Sequence, residues 1–191
     1  MEDFMASVKE HIQLGIDQAI KFMNEVYNHE ESKKFGIDLN CAAEKLGEKL
    51  KKKISIIEDN LSDITEISEA MEVSGLSFYT KDHSGIIIVV EENDYPFRKR
   101  FTIAHELGHI FMDDLKDGKS ILFRSLNEGM DEDYYIKEQK ANAFASEILM
   151  PTKQVEFLLK HGANFEEMAK IFGVSYSAMK NKINSVTRYN S

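Results

Sequence analysis

Hydrophobic residues recur at steps of three and four along most of the chain, which is the spacing of amphipathic α-helices. Pro96 begins one such stretch and Pro151 ends another, as expected of proline at helix boundaries. Ser175 follows Gly173 and Val174 and is a candidate N-cap for the last helix. The predicted helices cover residues 3–28, 38–53, 97–112 and 131–150, followed by two or three short helices within residues 152–191.

Two stretches between the helices have the composition of β-strands. Residues 76–80 and 85–90 are joined by a turn-rich link, which predicts a hairpin. The second strand is almost wholly aliphatic, so both of its faces are expected to be buried. Residues 54–72 and 113–129 show no sustained period and are left unassigned. Helices combined with a small sheet predict an α+β fold.

Composition narrows the class of protein. A chain of 191 residues with 42% hydrophobic content is long enough for one globular domain, or for one domain with a small appendage. A formal net charge of -9 argues against the broad basic surface that neutralises nucleic-acid phosphates. From residue 152 onward, however, six basic residues outnumber three acidic ones. Direct nucleic-acid binding is therefore expected, if anywhere, only in residues 152–191.

Cysteine content and hydropathy predict a cytoplasmic, soluble protein. The single cysteine, Cys41, lies among apolar helix residues and has no second cysteine with which to form a disulfide. The first residues are acidic, whereas a secretory signal begins with basic and then apolar residues. The longest aliphatic run, residues 86–90, is far shorter than the roughly 20 apolar residues of a membrane-spanning helix.

The predicted helix at residues 97–112 carries a metal-binding pattern, His105-Glu106-Leu107-Gly108-His109. Residues four apart on an α-helix differ by about 40° in rotation and about 6 Å in rise, so both imidazoles can bind one zinc ion. Glu106 lies beside the first ligand, where a carboxylate can act as general base toward the attacking water. The pattern predicts a zinc-dependent hydrolase with Glu106 as its catalytic base.

The third zinc ligand has to come from another part of the chain. The longer metzincin motif requires glycine at position 112 and histidine at position 115, and this chain has Met112 and Leu115. Asp113 continues the same helix face, but it lies too far along the axis from a metal that already bridges the two histidines.

A carboxylate on the helix at residues 131–150 fits better. Glu138 is a candidate ligand, and Asn142, one turn later on the same face, could orient a ligand histidine through its free ring nitrogen. Glu147 and Glu132 are the competing carboxylates. A second donor for the oxyanion is common in such sites, and the candidates for it are Tyr134, Tyr135, His83 and Arg124.

Two blocks of the chain resemble the ImmA/IrrE family of metallo-endopeptidases. The first is Arg100-Phe101-Thr102-Ile103-Ala104-His105-Glu106-Leu107-Gly108-His109, and the second, from Glu138 to Pro151, has the pattern ExxANxFAxxxLMP. The resemblance is strong over residues 98–151. It implies a zincin-like core with a small sheet, an HExxH helix and a helix that carries Glu138 as the third ligand of Zn²⁺. It also implies flanking helices at both ends.

The resemblance further implies the kind of target. Many relatives carry an N-terminal helix-turn-helix, and residues 1–53 do not resemble one. The implied substrate is therefore a separately encoded helix-turn-helix repressor of a mobile element, a phage or a stress regulon, so that cleavage makes this protein an anti-repressor. Residues 1–151 would form the metallopeptidase domain and residues 152–191 a small helical subdomain.

Two alternatives remain open at this point. Residues 165–183 follow a helix-turn-helix spacing approximately, which is compatible with a regulator that contacts DNA. The second alternative is a non-proteolytic regulator that keeps the zinc site and acts through protein contact. If the protein is a peptidase, the strand at residues 85–90 is a hypothetical edge on which an extended substrate would pair, unless that strand lies inside the sheet.

Overall fold

A computed structural model describes residues 2–27, 35–61, 73–115, 119–123 and 132–189. Its helices lie close to the stretches predicted from hydrophobic spacing. They are α1 (Glu2–Phe22), which continues as a π-helical turn (Met23–Tyr27), α2 (Leu39–Leu50), α3 (Pro96–Phe111), α4 (Glu132–Leu149), α5 (Thr152–Lys160), α6 (Phe165–Phe172) and α7 (Tyr176–Tyr189). The strands are β1 (Lys53–Asp59), β2 (Val73–Tyr79), β3 (Gly85–Glu91) and β4 (Lys119–Phe123). The predicted α+β fold is confirmed.

Short-range capping decides where several helices begin. The Asp38 side chain accepts hydrogen bonds from two backbone N–H groups in the first turn of α2. Pro96 occupies the first turn of α3, where its missing N–H costs no helix hydrogen bond. Asn164 and Glu167 form a reciprocal capping box at the start of α6. Ser175 Oγ accepts from the backbone N–H of Ala178 at 3.1 Å, so the predicted N-cap of α7 is confirmed.

The described strands form one four-stranded sheet in the order β1-β3-β2-β4. β2 and β3 pair antiparallel, which confirms the predicted hairpin. β1 pairs parallel with β3, and β4 pairs antiparallel with β2. The two outer strands lie in stretches that were left unassigned from the sequence. For β1 the reason is visible in its burial, because most of its residues are exposed or half-buried and show no clean alternation.

The hypothesis that residues 85–90 provide a free edge for substrate is wrong. Ile88 pairs with Ile56 of β1 on one side and with Ser77 of β2 on the other. Both rows of backbone N–H and C=O groups in β3 therefore face neighbouring strands, and no row is left to pair with a peptide. Within the described residues, the outer strands of this sheet are β1 and β4.

Two glycines allow the elements around α3 to approach closely. A Cβ on Gly108 of α3 would lie 2.9 Å from a ring carbon of Phe144, so α3 and α4 pack at a distance that only glycine permits. A Cβ on Gly75 of β2 would lie 2.3 Å from Cγ2 of Thr102. These contacts bring β2 and α4 against the same helix, and that helix carries the HExxH pattern.

The C-terminal helices share one hydrophobic core with the rest of the fold. Met168 of α6 and Met179 of α7 are fully buried in the same cluster as Leu107 of α3 and Phe144 of α4. None of the described helices is long and apolar enough to span a membrane.

Candidate metal centre and active site

Helix α3 presents both predicted histidine ligands to the protein interior. His105 is 0% exposed and His109 is 3% exposed, and they lie one turn apart on the same helix face. Their Nε2 atoms are 2.9 Å apart. Two buried imidazole nitrogens that converge in this way need a shared cation or a shared proton, since neither nitrogen has water as an alternative partner.

The third member of the cluster is Glu138 of α4, as predicted. Its Oε2 lies 3.2 Å from His105 Nε2 and its Oε1 lies 3.0 Å from His109 Nε2, and the side chain is buried. Ligand atoms at zinc bond lengths in a tetrahedral site lie about 3.4 Å apart, so only small adjustments would seat an ion among the three. Two nitrogens and one carboxylate form a donor set that suits zinc and leaves one position open for water.

Burial and hydrogen bonding have opposite effects on the pKa values of the cluster residues. Burial opposes the charged form of Glu138, but hydrogen bonds from His105 and His109 outweigh it and lower the pKa of Glu138 to about 2. Burial likewise opposes the charged form of His109, but the hydrogen bond to Glu138 and the charges of Glu106, Glu138 and Asp114 raise the His109 pKa. A divalent cation would take over the role of that proton.

Two further side chains lie against the outer nitrogens of the histidines. His105 Nδ1 is 2.9 Å from Asn142 Oδ1, so His105 donates to the amide oxygen and keeps Nε2 free to accept a metal. The structure thus places Asn142 beside His105, and its orienting role stays a prediction. Asp114 Oδ2 lies 3.9 Å from His109 Nδ1, and its carboxylate also faces Lys137 and Lys140. Asp114 was not among the predicted site residues, and in the sequence only its position five residues after His109 pointed to it.

Glu106 is held by a serine from the sheet. Ser77 Oγ of β2 donates to Glu106 Oε2 at 2.6 Å, and both side chains are 0% exposed. A hydrogen bond to a buried carboxylate stabilises its charged form and restricts its rotamers. Nothing in the sequence pointed to Ser77, because its position depends on how β2 passes over α3 through the close contact of Gly75 with Thr102.

Of the four candidates for a second oxyanion donor, Tyr134 lies at the centre. Burial, the charges of Glu138 and Glu106, and a hydrogen bond with Glu138 raise the pKa of Tyr134 far above its usual range. Its hydroxyl therefore stays protonated and can donate. His83 is exposed on the β2–β3 turn, where its ring packs against Tyr79.

The remaining candidates are less informative. Tyr135 is half-buried on α4, and Arg124 lies outside the described residues.

The two carboxylates that competed with Glu138 as third ligand have other surroundings. Glu147 is buried, where it accepts hydrogen bonds from Lys182 and Thr152. Glu132 is exposed at the start of α4.

The described residues contain one group of His, Cys, Asp and Glu side chains that could hold a metal ion, and it consists of His105, His109 and Glu138. The ligand atoms of this group all lie within 4.8 Å of one another. Burial of all three on rigid helices gives the arrangement a fixed geometry, which a metal site requires.

Among solved structures, the chain is similar to a protein described as a Mycobacterium tuberculosis transcriptional regulator. The sequence identity is 18%, the TM-score is 0.53, and the similarity covers 87% of this chain. It covers 45% of the other chain, so this protein spans less than half the length of that structure. At this identity the likeness concerns the fold alone.

Comparison with curated proteins gives no match. The model of the Peptidase_M78 family, described as an IrrE N-terminal-like domain, matches residues 59–184. That range contains strands β2 to β4, the HExxH helix, the helix that carries Glu138 and most of the C-terminal helices. The chain therefore belongs to the ImmA/IrrE family of metallopeptidases.

Proposed function

We propose that this protein is a zinc-dependent endopeptidase that cleaves a protein target. The observation that carries the proposal is the buried convergence of His105, His109 and Glu138 next to the buried carboxylate of Glu106. A purely structural role does not account for this arrangement. Burying four titratable groups together costs free energy, and apolar residues at the same positions would not incur that cost.

In this proposal His105, His109 and Glu138 hold the ion, and Asn142 keeps the ring of His105 in the orientation for binding. A zinc ion bound there would polarise the peptide carbonyl and lower the pKa of the attacking water. Zinc is favoured over magnesium or calcium because two of the three donors are imidazole nitrogens.

Glu106 moves the proton in the proposed reaction. Its carboxylate accepts a proton as water adds to the peptide carbonyl, and it returns that proton to the nitrogen that leaves. Ser77 donates to one carboxylate oxygen at 2.6 Å and so fixes the orientation of the carboxylate that transfers the proton. Tyr134, protonated and beside Glu138, would turn its hydroxyl from Glu138 to donate a hydrogen bond to the developing oxyanion.

The proposed target is a helix-turn-helix repressor of a mobile element, a phage or a stress regulon, which makes the protein a cytoplasmic anti-repressor. Membership of the ImmA/IrrE family supports a regulatory protein partner. The metallopeptidase domain comprises residues 1–151, and residues 152–191 form a small helical subdomain that packs on it rather than binding DNA. Burial of Met168, Met179 and Ile183 in the common hydrophobic core supports the packing role of these helices.

Co-expression with the product of a neighbouring repressor-type gene tests this function. We expect the repressor to be cut when the wild-type protein is present, and to stay intact with Glu106→Gln, which keeps the shape of the side chain but lacks its basicity. Cleavage is read on a gel and the new termini by mass spectrometry. Zinc content is measured on both proteins, since a metal-loaded Glu106→Gln variant that still cleaves would disprove the mechanism.

The same variant separates a peptidase from a regulator that acts by contact alone. A contact-only regulator would relieve repression equally well with Glu106→Gln, whereas the proposed peptidase loses that effect together with cleavage. A reporter gene under the repressor's control provides the readout.

A further inference from the structure

A groove of about 770 Å³ leads away from the metal cluster. One side of it is a stripe along α4 that begins at Glu138 and Asn142 and continues through Ser146 to Leu149. These residues recur at helical spacing, and the eleven steps from the first to the last extend about 16 Å along the helix. An extended peptide rises about 3.3 Å per residue, so roughly five residues fit along this stripe.

The walls of the groove come from elements far apart in the sequence. Phe97 and Phe101 of α3 supply aromatic surface near its mouth, and Phe97 is 44% exposed. The opposite wall belongs to α7, which contributes Ala178 and Asn181. The lining is therefore apolar with neutral hydroxyl and amide groups, which suit apolar side chains and peptide-backbone hydrogen bonds respectively.

Each charged side chain that lines this groove already has an opposite charge. Arg98 pairs with Asp94 at 3.3 Å, and Lys182 pairs with Glu147 at 2.6 Å. Glu138 bonds to the two histidines of the metal cluster. A charged residue of a bound peptide would lose water here and meet no counter-charge in the described lining, which disfavours it by desolvation.

We propose that this groove binds the protein substrate on one side of the scissile bond, and that it selects an extended, uncharged and predominantly apolar segment of about five residues. Asn181 on α7 is a specificity-determining residue of this groove. The inference rests on the proposed endopeptidase function. It goes further, since it assigns the C-terminal helix α7 a part in choosing the substrate.

The groove is continuous with the metal cluster, which indicates that its ligand is the substrate chain. Glu138 and Asn142 belong both to the metal site and to the lining of the groove, so a chain lying in the groove passes the reacting centre. A second cavity of about 490 Å³ is lined mainly by α1, α5 and α7 and contains none of the cluster residues.

The charge of position 181 provides the test, with position 184 as matched control. Asn181 and Asn184 are exposed asparagines of α7, and only Asn181 lines the groove. The variants are Asn181→Asp, Asn181→Lys, Asn184→Asp and Asn184→Lys. The two Asp variants have the same net charge, as do the two Lys variants, and all four changes lie on α7. The probe is a mixture of synthetic peptides of random sequence, digested by zinc-loaded protein, with products identified by mass spectrometry.

Wild-type protein is expected to cleave peptides that carry a run of uncharged, mainly apolar residues on one side of the cut. Asn181→Asp should raise the relative kcat/KM for peptides with Lys or Arg at one position of that run by about five- to tenfold, and Asn181→Lys should do the same for Asp or Glu. The two changes at position 184 should leave the preference as in wild type. Equal effects at both positions, or no effect at position 181, would overturn the inference.

A binding experiment keeps this inference separate from the proposed function. Zinc-loaded Glu106→Gln protein, alone and combined with each change at position 181, is used to capture peptides from the same mixture. If wild-type protein cleaves nothing but captured peptides change their charge preference with position 181, the peptidase function fails and the groove assignment stands. If cleavage occurs but capture and cleavage ignore position 181, the groove assignment fails alone.

Discussion

Lys182 Nζ lies 2.6 Å from Glu147 Oε2, and both side chains are almost fully buried. Glu147 also accepts hydrogen bonds from the backbone N–H and the hydroxyl of Thr152, so it joins the end of α4 to α5 and to α7. The pair fixes the position of α7 relative to the helix that carries Glu138. Glu147 was an alternative zinc ligand in the sequence analysis, and in the structure its carboxylate bonds to Lys182 and Thr152 instead.

Removing Lys182 is expected to destabilise the protein strongly. Lys182→Ala leaves Glu147 buried with only the Thr152 hydrogen bonds, which should lower the free energy of unfolding by about 3 kcal/mol. Lys49→Ala is the control, because Lys49 forms a pair of similar length with Glu25 at 2.9 Å, but both side chains are largely exposed. Urea unfolding measures both variants. Similar small changes in the free energy of unfolding of both variants would mean that the buried pair contributes little to stability.

Metal content should depend on Glu138 and not on Glu147. Glu138→Ala is expected to lose zinc because it removes one of the three donors, whereas Glu147→Ala, even if less stable, keeps all three. Zinc is measured per chain after gel filtration. In the wild type, free zinc at a hundred times its Kd should raise the Tm by about 5–10 °C, and a chelator should reverse this. Full zinc content in Glu138→Ala would refute the ligand assignment.

Ser77 is expected to affect the rate of the reaction more than the binding of substrate. Ser77→Ala removes the hydrogen bond that orients Glu106, so kcat should fall about tenfold while KM and zinc content stay unchanged. Cysteine is similar in size to serine and is a weaker donor, so the kcat of Ser77→Cys should lie between those of the wild type and Ser77→Ala. A purely structural role would instead lower the Tm without separating kcat from KM. Wild-type kcat in Ser77→Ala would contradict the orienting role.

The metal-free protein should be most stable at mildly acidic pH. The lowered pKa of Glu138 contributes stability above its unfolded value near 4.5, and this is lost as the pH falls toward about 2. The raised pKa of His109 contributes stability below its unfolded value near 6.5, and this is lost as the pH rises through the folded value. Maximum stability is therefore expected between about pH 4.5 and 6.5.

Urea midpoints of chelator-treated protein across the pH range measure this dependence. Glu138→Gln is the control, since it removes the titrating carboxylate and the main partner of His109, and both limbs should flatten. Zinc binding displaces the proton from His109, so zinc affinity should rise with pH. A metal-free stability that is unchanged between pH 4.5 and 8 would count against the coupling of Glu138 and His109.

Helix positions and the convergence of the two histidines followed from the sequence because both depend on local spacing. Hydrophobic steps of three and four specify the helix face, and the four-residue interval between His105 and His109 places both imidazoles on one side of a helix in any context. The choice of Glu138 needed more. Its helix was predictable from spacing, but its selection over Glu147 and Glu132 rested partly on the resemblance of the second block to a known family.

The sheet order and the surroundings of Glu106 were decided only by the tertiary structure. β3 was correctly expected to be buried on both faces, but its pairing with both β1 and β2 depends on strands whose own sequences are too irregular to predict. Ser77 reaches Glu106 because Gly75 lets β2 approach α3, a contact between residues 27 positions apart. Spacing within one element cannot encode such a contact.

The sequence by itself thus determined which elements form and which side chains share a helix face, since these follow from the fixed geometry of the backbone. The tertiary structure alone decided which elements meet. Ser77 at Glu106, Lys182 at Glu147 and Asn181 in the groove beside the metal cluster each depend on packing between separate elements. That packing is a cooperative property of the whole core, in which α1 to α7 and the sheet bury their apolar faces together.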